Sequence, residues 1–207
     1  MNFESLIFDI DGTLWDSRAL VAKGYNVQLK EAGLGHIVID ADILKTVFGK
    51  TITEIANILF AELPAQESYL LLEKCLEQAV KVLHEDPCNI GYPKVKETLT
   101  ELAKKHRIFI VSNSQKGYPE LCIEKLGLQD LIVDHLCFGD TGACKGETIK
   151  KIMADNRITS ACYVGDTRGD MEASDYAGIP FIYCTFGFGE ADHYLYKIDS
   201  FEQLLEL

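Results

Sequence analysis

Four stretches of the chain carry side chains suited to phosphoryl and metal chemistry: Asp9-Ile10-Asp11-Gly12-Thr13, Ser112-Asn113, Lys145, and Gly165-Asp166-Thr167-Arg168-Gly169-Asp170. All fall at the ends of predicted strands. Any one of these acids has an ordinary explanation, since Asp-Gly pairs make turns and an aspartate at a helix N-terminus caps it. Four carboxylates at one sheet edge have no packing use, and they repel one another unless a cation holds them. All-oxygen donors and a small number of carboxylates favour Mg2+, with a substrate phosphate completing the shell. With Lys145 as the strong cation, these residues imply magnesium-dependent hydrolysis of a phosphoryl group.

A sheet must bring them together. Leu6-Ile7-Phe8 reads as a short buried strand ending at Asp9. Apolar runs near 108–111, 136–138, 162–164 and 181–183 alternate with helical patterns near 94–105, 119–126, 147–154, 171–177 and 201–207. Short apolar runs between amphipathic helices imply a parallel sheet covered on both faces. Right-handed crossovers make it a doubly wound, Rossmann-like α/β sheet. With strand order 3-2-1-4-5, the first, second and fourth strands are neighbours and the switch point lies between the first and fourth. Asp9 and Asp11, Ser112, and Asp166 and Asp170 then meet at one crevice, although more than 150 residues separate Asp9 from Asp166.

From residue 17 to 86 the periodicity is helical throughout. Leu20, Val21, Val27 and Leu29 mark one stripe, Ile43, Leu44 and Val47 a second, and Ile52, Ile55, Ile58 and Leu59 a third. Thr51 with Glu54 is a capping pair for the third helix, and Pro64 opens a fourth. The expected organisation is a core of residues 1–16 and 87–207 with an all-helical cap, 17–86, inserted after the first acidic loop. Such an insertion would act as a lid at the carboxyl end of the sheet, where open α/β sheets bind ligands. Lys50, beside Gly49 at a helix junction of the cap, is a candidate for a substrate carboxylate or second phosphate. Lys116 and Tyr118, just beyond Ser112, are candidates to line the same cavity.

The 207 residues are 47% hydrophobic and 25% charged, with a net charge of −12. No basic run appears, which argues against nucleic acid or an anionic membrane surface as a partner. No stretch of 18 apolar residues and no leader-like N-terminus occurs, so the expected location is cytoplasmic. The seven cysteines form no C-x-x-C pair and read as reduced thiols. Cys144, beside Lys145, is the one to watch for reactivity. The histidines show no metal spacing, and the size suits a monomer or weak homodimer. Three rival motifs fail. Asp9–Thr13 puts its glycine at the fourth place, not the sixth of an EF-hand loop. The P-loop-like Phe48-Gly49-Lys50-Thr51 would need its first glycine at Leu44, and Gly187-Phe188-Gly189 has Asp192 where a dinucleotide fingerprint needs its third glycine.

Asp9-Ile10-Asp11-Gly12-Thr13, Ser112, Lys145 and Gly165-Asp166 through Asp170 resemble, in order, the four motifs of the haloacid dehalogenase superfamily of phosphatases. The segment after the first motif resembles its small helical cap, and Phe186-Gly187-Phe188-Gly189 resembles a loop many members carry after the last core strand. The resemblance covers essentially the whole chain. It implies that Asp9 is the nucleophile of an aspartyl-phosphate intermediate and Asp11 the general acid and base. It implies phosphoryl contacts from Ser112 and Lys145, with Thr13 and Asn113 in support. Mg2+ would be held by Asp9, the backbone carbonyl of Asp11, and Asp166, with Asp170 holding its waters or joining them. Gly146 departs from the proline frequent in relatives after the motif lysine. An acid at Asp11 is absent from the superfamily's dehalogenases and so favours phosphoryl transfer. The substrate expected is a small phosphorylated metabolite. The alternatives are a phosphosugar mutase and, using Lys23 or Lys50 as a Schiff base, a phosphonate hydrolase. A non-catalytic phosphate-binding module is opposed by the intact acids.

Overall fold

Leu6, Ile7 and Phe8 are wholly buried, as a strand inside a parallel sheet covered on both faces requires. In the computed structural model, which describes residues 3–207, they form β1 (Ser5–Phe8). The other strands are β2 (Arg107–Ser112), β3 (Ile132–Cys137), β4 (Ala161–Gly165), β5 (Phe181–Cys184) and β6 (Tyr196–Ile198). They form one sheet in the order β3-β2-β1-β4-β5-β6, with every pairing parallel. The doubly wound order expected from the sequence is present, with one further strand at the edge.

Contacts divide the chain into two compact units. One runs up to Asp16 and resumes at Ile90, and the other is Ser17–Asn89. The second unit holds α1 (Arg18–Glu31), α2 (Ala41–Val47), α3 (Ile52–Leu59) and α4 (Ala65–Glu85), and no strand among its described residues. Thr51 caps α3 through a reciprocal pair with Glu54, which satisfies two backbone donors of the first turn. Gly24 of α1 faces the Ala79 backbone of α4 so closely that a Cβ would overlap it. In the sheet unit, segments 14–16 and 90–92 run side by side where the chain leaves and returns. Asp16 N donates to Ile90 O at 2.9 Å, and Tyr92 N to Leu14 O at 3.0 Å.

The sheet unit carries α5 (Val95–Leu102), α6 (Tyr118–Leu126), α7 (Phe138–Thr141), α8 (Lys145–Asp155), α9 (Arg168–Ala177) and a closing 3-10 turn, Phe201–Glu206. Alternate strand residues serve opposite faces. Ile7, Phe109, Val111, Tyr163 and Phe181 pack with Ile149 and Ile152 of α8 and Met171 and Ala173 of α9. On the other face, the ring of Phe8 lies 5.8 Å from that of Phe201.

Two boundaries differ from the periodicity. β3 begins at Ile132 rather than near Leu136, because Asp134 and His135 interrupt its apolar run. Phe138 leaves the strand and opens α7. β6 was not expected at all: only its third residue, Ile198, is buried, so it carries no apolar alternation.

Candidate active site

Asp9 follows β1 directly, and its backbone N–H continues the sheet ladder to Val164 O at 2.9 Å. The chain then turns sharply. The amides of Thr13, Leu14 and Trp15 all approach Ile10 O, at 3.2, 2.8 and 3.3 Å, and Gly12 N donates to Trp15 O. Gly12 has φ +85°, and a Cβ there would overlap the Asp166 carboxylate; only glycine meets both demands. In a continued strand Asp9 and Asp11 would share a face, so this turn is what sends their side chains to different partners.

Asp166 leaves β4, and Asp170 stands in the first turn of α9. Parallel strands β1 and β4 are neighbours, so both acids reach Asp9. Carboxylate oxygens of Asp9, Asp166 and Asp170 lie within 4.8 Å of one another, and all three residues are buried. Lys145, the first residue of α8, enters among them. Its Nζ donates to Asp9 Oδ1 at 2.7 Å and to Asp170 Oδ1 at 2.6 Å, and lies 5.8 Å from the centre of the Tyr163 ring. Asp170 also keeps the ordinary capping role. Its Oδ2 accepts from Thr167 N at 2.9 Å, Thr167 Oγ1 at 2.7 Å and Asp166 N at 3.2 Å.

The electrostatics are unbalanced. One ammonium faces three buried carboxylates. Burial pushes up the pKa of Asp9; Lys145 opposes this and Asp170 adds to it, and the result is about 7 against an ordinary 3.8. Burial likewise holds Asp166 well above the carboxylate range, with Asp170 and Asp9 adding to the rise. For Lys145, burial would lower the pKa, but Asp170 and Asp9 outweigh it and keep the ammonium well above its usual value. A cluster of hard oxygen donors short of positive charge fits a divalent cation such as Mg2+. Asp9, Asp166 and Asp170 are the side chains able to hold it.

The remaining residues singled out by the sequence divide into two groups. Ser112 ends β2, is 5% exposed, and its Oγ accepts from Ser114 N at 3.2 Å. Asn113 is half-buried in the same loop. Thr13 is wholly buried, and its hydroxyl donates to Asp166 Oδ1 at 3.3 Å, a support for an acid rather than an open phosphate contact. Lys116 is largely in solvent, 3.9 Å from Asp140. Lys50, in the helical unit, is exposed immediately before the N-cap of α3. Cys144 is also exposed.

Sequence reasoning missed what holds the acids. Asp11 Oδ1 accepts from the Trp15 indole N–H at 2.8 Å and from the Tyr118 hydroxyl at 2.9 Å. Asp166 Oδ2 accepts from Phe188 N at 2.6 Å, while a Cβ at Gly187 would overlap the Asp166 side chain. The Gly187-Phe188 pair was visible in the sequence, but its partner, 22 residues away, was not. Gly146 also acquires a reason, since a Cβ there would lie 2.6 Å from the Tyr176 ring.

Comparison with known proteins agrees with this geometry. The family described as haloacid dehalogenase-like hydrolase matches residues 6–184. A phosphoglycolate phosphatase of Aquifex aeolicus is 28% identical over 178 residues, covering 84% of this chain and 80% of the relative. One from Xanthomonas campestris is 28% identical over 194 residues, covering 91% and 86%. A haloacid dehalogenase-like family hydrolase of Streptococcus pneumoniae superposes with a TM-score of 0.82 at 20% identity, over 99% of this chain and 97% of that one. A HAD-superfamily hydrolase of subfamily IA, variant 1, from Geobacter sulfurreducens does so at 0.73 and 17% identity, over 99% and 95%. The structural likeness carries the fold, and the family match runs from β1 to the end of β5 and takes in all four acidic and basic stretches. The chain belongs to the haloacid dehalogenase-like hydrolases.

Proposed function

We propose that this phosphoric monoester hydrolase is a Mg2+-dependent phosphatase that works through an aspartyl-phosphate on Asp9. The observation that carries the reading is the convergence of Asp9, Asp166 and Asp170 oxygens within 4.8 Å, with Lys145 bonded to two of them. A carboxylate oxygen of Asp9 attacks phosphorus as the ester P–O bond breaks, and the leaving oxygen takes a proton from Asp11. Asp11, now ionised, takes a proton from water. The water oxygen bonds to phosphorus, phosphate leaves, and the Asp9 carboxylate is restored. Lys145 keeps Asp9 oriented and neutralises charge on the phosphoryl oxygens, with Ser112 and Asn113 donating from the β2 loop. Thr13 acts by holding Asp166. Mg2+, held by Asp9, Asp166 and the Asp11 carbonyl with Asp170 in support, would supply the positive charge that one lysine does not.

The curated relatives are phosphoglycolate phosphatases, which favours a small phosphorylated acid as substrate. We assign the helical unit, Ser17–Asn89, the part of a cap that sets selectivity, with Lys50 as a site for the substrate's carboxylate and Lys116 as a second candidate. We assign the enzyme to the cytoplasm, acting as a monomer or weak homodimer. Among the described residues no helix is long and apolar enough to cross a membrane. The test is phosphate release from p-nitrophenyl phosphate and 2-phosphoglycolate. Activity should require Mg2+ and vanish in Asp9→Ala. Turnover that persists in EDTA or in that variant overturns the mechanism.

A further inference from the structure

We propose that Trp15 and Tyr118 are positioning residues for Asp11, clamping its carboxylate where it serves leaving-group protonation and keeping it out of the metal cluster; this rests on the function proposed above. Four aspartates gather at this end of the sheet, yet only Asp9, Asp166 and Asp170 have converging oxygens. A fourth carboxylate nearby would be drawn to the same dication. Two donors hold Asp11 instead, both on Oδ1, at 2.8 and 2.9 Å. Indole N–H is a donor only, and a phenol has one proton to give, which here goes to the carboxylate.

The clamp is stiff. Trp15 is wholly buried, Tyr118 is 5% exposed, and their rings meet edge to face at 5.5 Å. Trp15 is further fixed by backbone bridges to Asp11 and to Gly91. Tyr118 opens α6 straight after Gly117, whose φ of +86° sets the direction of approach. One donor comes from the loop after β1 and the other from the first residue of α6, so the loop of Asp9 and Asp11 is tied to the segment that follows Ser112 at the end of β2. Phenylalanine at Tyr118 keeps the ring and removes one bond; at Trp15, which is wholly buried, it removes the indole bond but also leaves a void that costs stability. Either change loosens the hold on the carboxylate at the leaving oxygen without touching the nucleophile.

That separation dictates the test. When the ester P–O bond breaks, an alkoxide needs the Asp11 proton, whereas p-nitrophenolate is a stable anion and needs it little. The ratio kcat/KM covers only the steps through leaving-group release, so later hydrolysis of the phospho-enzyme does not blur it. We compare wild type and Tyr118→Phe on p-nitrophenyl phosphate and on alkyl esters (2-phosphoglycolate, glycerol 2-phosphate and phosphoserine). For the alkyl ester that wild type uses best, kcat/KM should fall by about tenfold or more. For the aryl ester it should fall less than about threefold, with Mg2+ affinity kept. Equal loss on both esters, or no loss on either, overturns the proposal. Wild type inactive on every ester overturns the functional reading itself, which separates the two failures. If Tyr118→Phe does not fold, Trp15→Phe makes the same comparison with the same deciding outcomes.

Discussion

At the scale of single residues, the protonation of Asp9 decides when the site can bind a cation. Its carboxyl titrates at about 7, chiefly because it is buried. Proton and Mg2+ therefore compete for the same oxygen. Apparent Mg2+ affinity should rise as pH increases toward and through 7, and binding below that pH should release protons, both measurable by calorimetry in buffers of different ionisation enthalpy. A pH-independent affinity would mean that Asp9 is not a ligand. Stability of the metal-free protein should run the other way. The folded state holds the Asp9 proton at pH values where the unfolded chain has lost it, so this contribution is present below about pH 4. It declines as pH rises and is gone above the folded value. A second consequence concerns the intermediate: acid quenching during turnover should trap a phosphoryl adduct on the peptide containing Asp9, and none should form in Asp9→Asn.

The residue types were legible in the sequence, because aspartates after apolar strands have few other uses in such numbers. Their supports were not. Tyr118 lies 107 residues from Asp11, a bond that follows from the fold and not from periodicity, and Trp15, only four residues on, is brought back to Asp11 by the tight turn after β1 rather than by any period. Thr13 shows the same gap in reverse: a hydroxyl beside the first motif suggested phosphate, yet it bonds to Asp166.

At the scale of elements, the site depends on loops pressed against each other without room for a side chain. Asp166 is flanked by Gly12 and Gly187, where a Cβ would overlap it. Gly187→Ala should force the Phe186–Gly189 loop or Asp166 to shift, costing about 1–3 kcal/mol of stability. It should also weaken Mg2+ binding, because Phe188 N holds an Asp166 oxygen. Loss of stability with metal affinity intact would contradict that link. Helix caps are a milder case. Thr51→Ala, which removes the capping box of α3, should cost about 1 kcal/mol and leave metal affinity alone. The long amphipathic helices and central strands were readable because burial on one or both faces imposes a period. β6 was not, because a three-residue edge strand with two exposed residues imposes none.

At the scale of the whole molecule, the order β3-β2-β1-β4-β5-β6 puts the ends of β1, β2 and β4 side by side, so distant segments need no further device to meet. This followed from the alternation of strands and helices together with the handedness rule for crossovers. What the helical unit selects did not follow, because selectivity rests on a few loop side chains that periodicity does not place. If Lys50 meets the substrate's carboxylate, Lys50→Ala should raise KM for 2-phosphoglycolate several-fold more than for p-nitrophenyl phosphate. An equal effect on both would remove it from the binding site. Cation binding should also reach the global stability. At 100 times its Kd, Mg2+ should add about 2.7 kcal/mol, seen as a higher Tm at pH 8 and a smaller rise at pH 5.5.

The most direct test of the central claim is a calorimetric titration of Mg2+ at pH 8 into wild type, Asp166→Asn and Asp11→Asn. The arrangement predicts one site, an affinity reduced by at least about tenfold in Asp166→Asn, and an affinity within a few-fold of wild type in Asp11→Asn. Unchanged binding in Asp166→Asn, or a larger loss in Asp11→Asn, would contradict it.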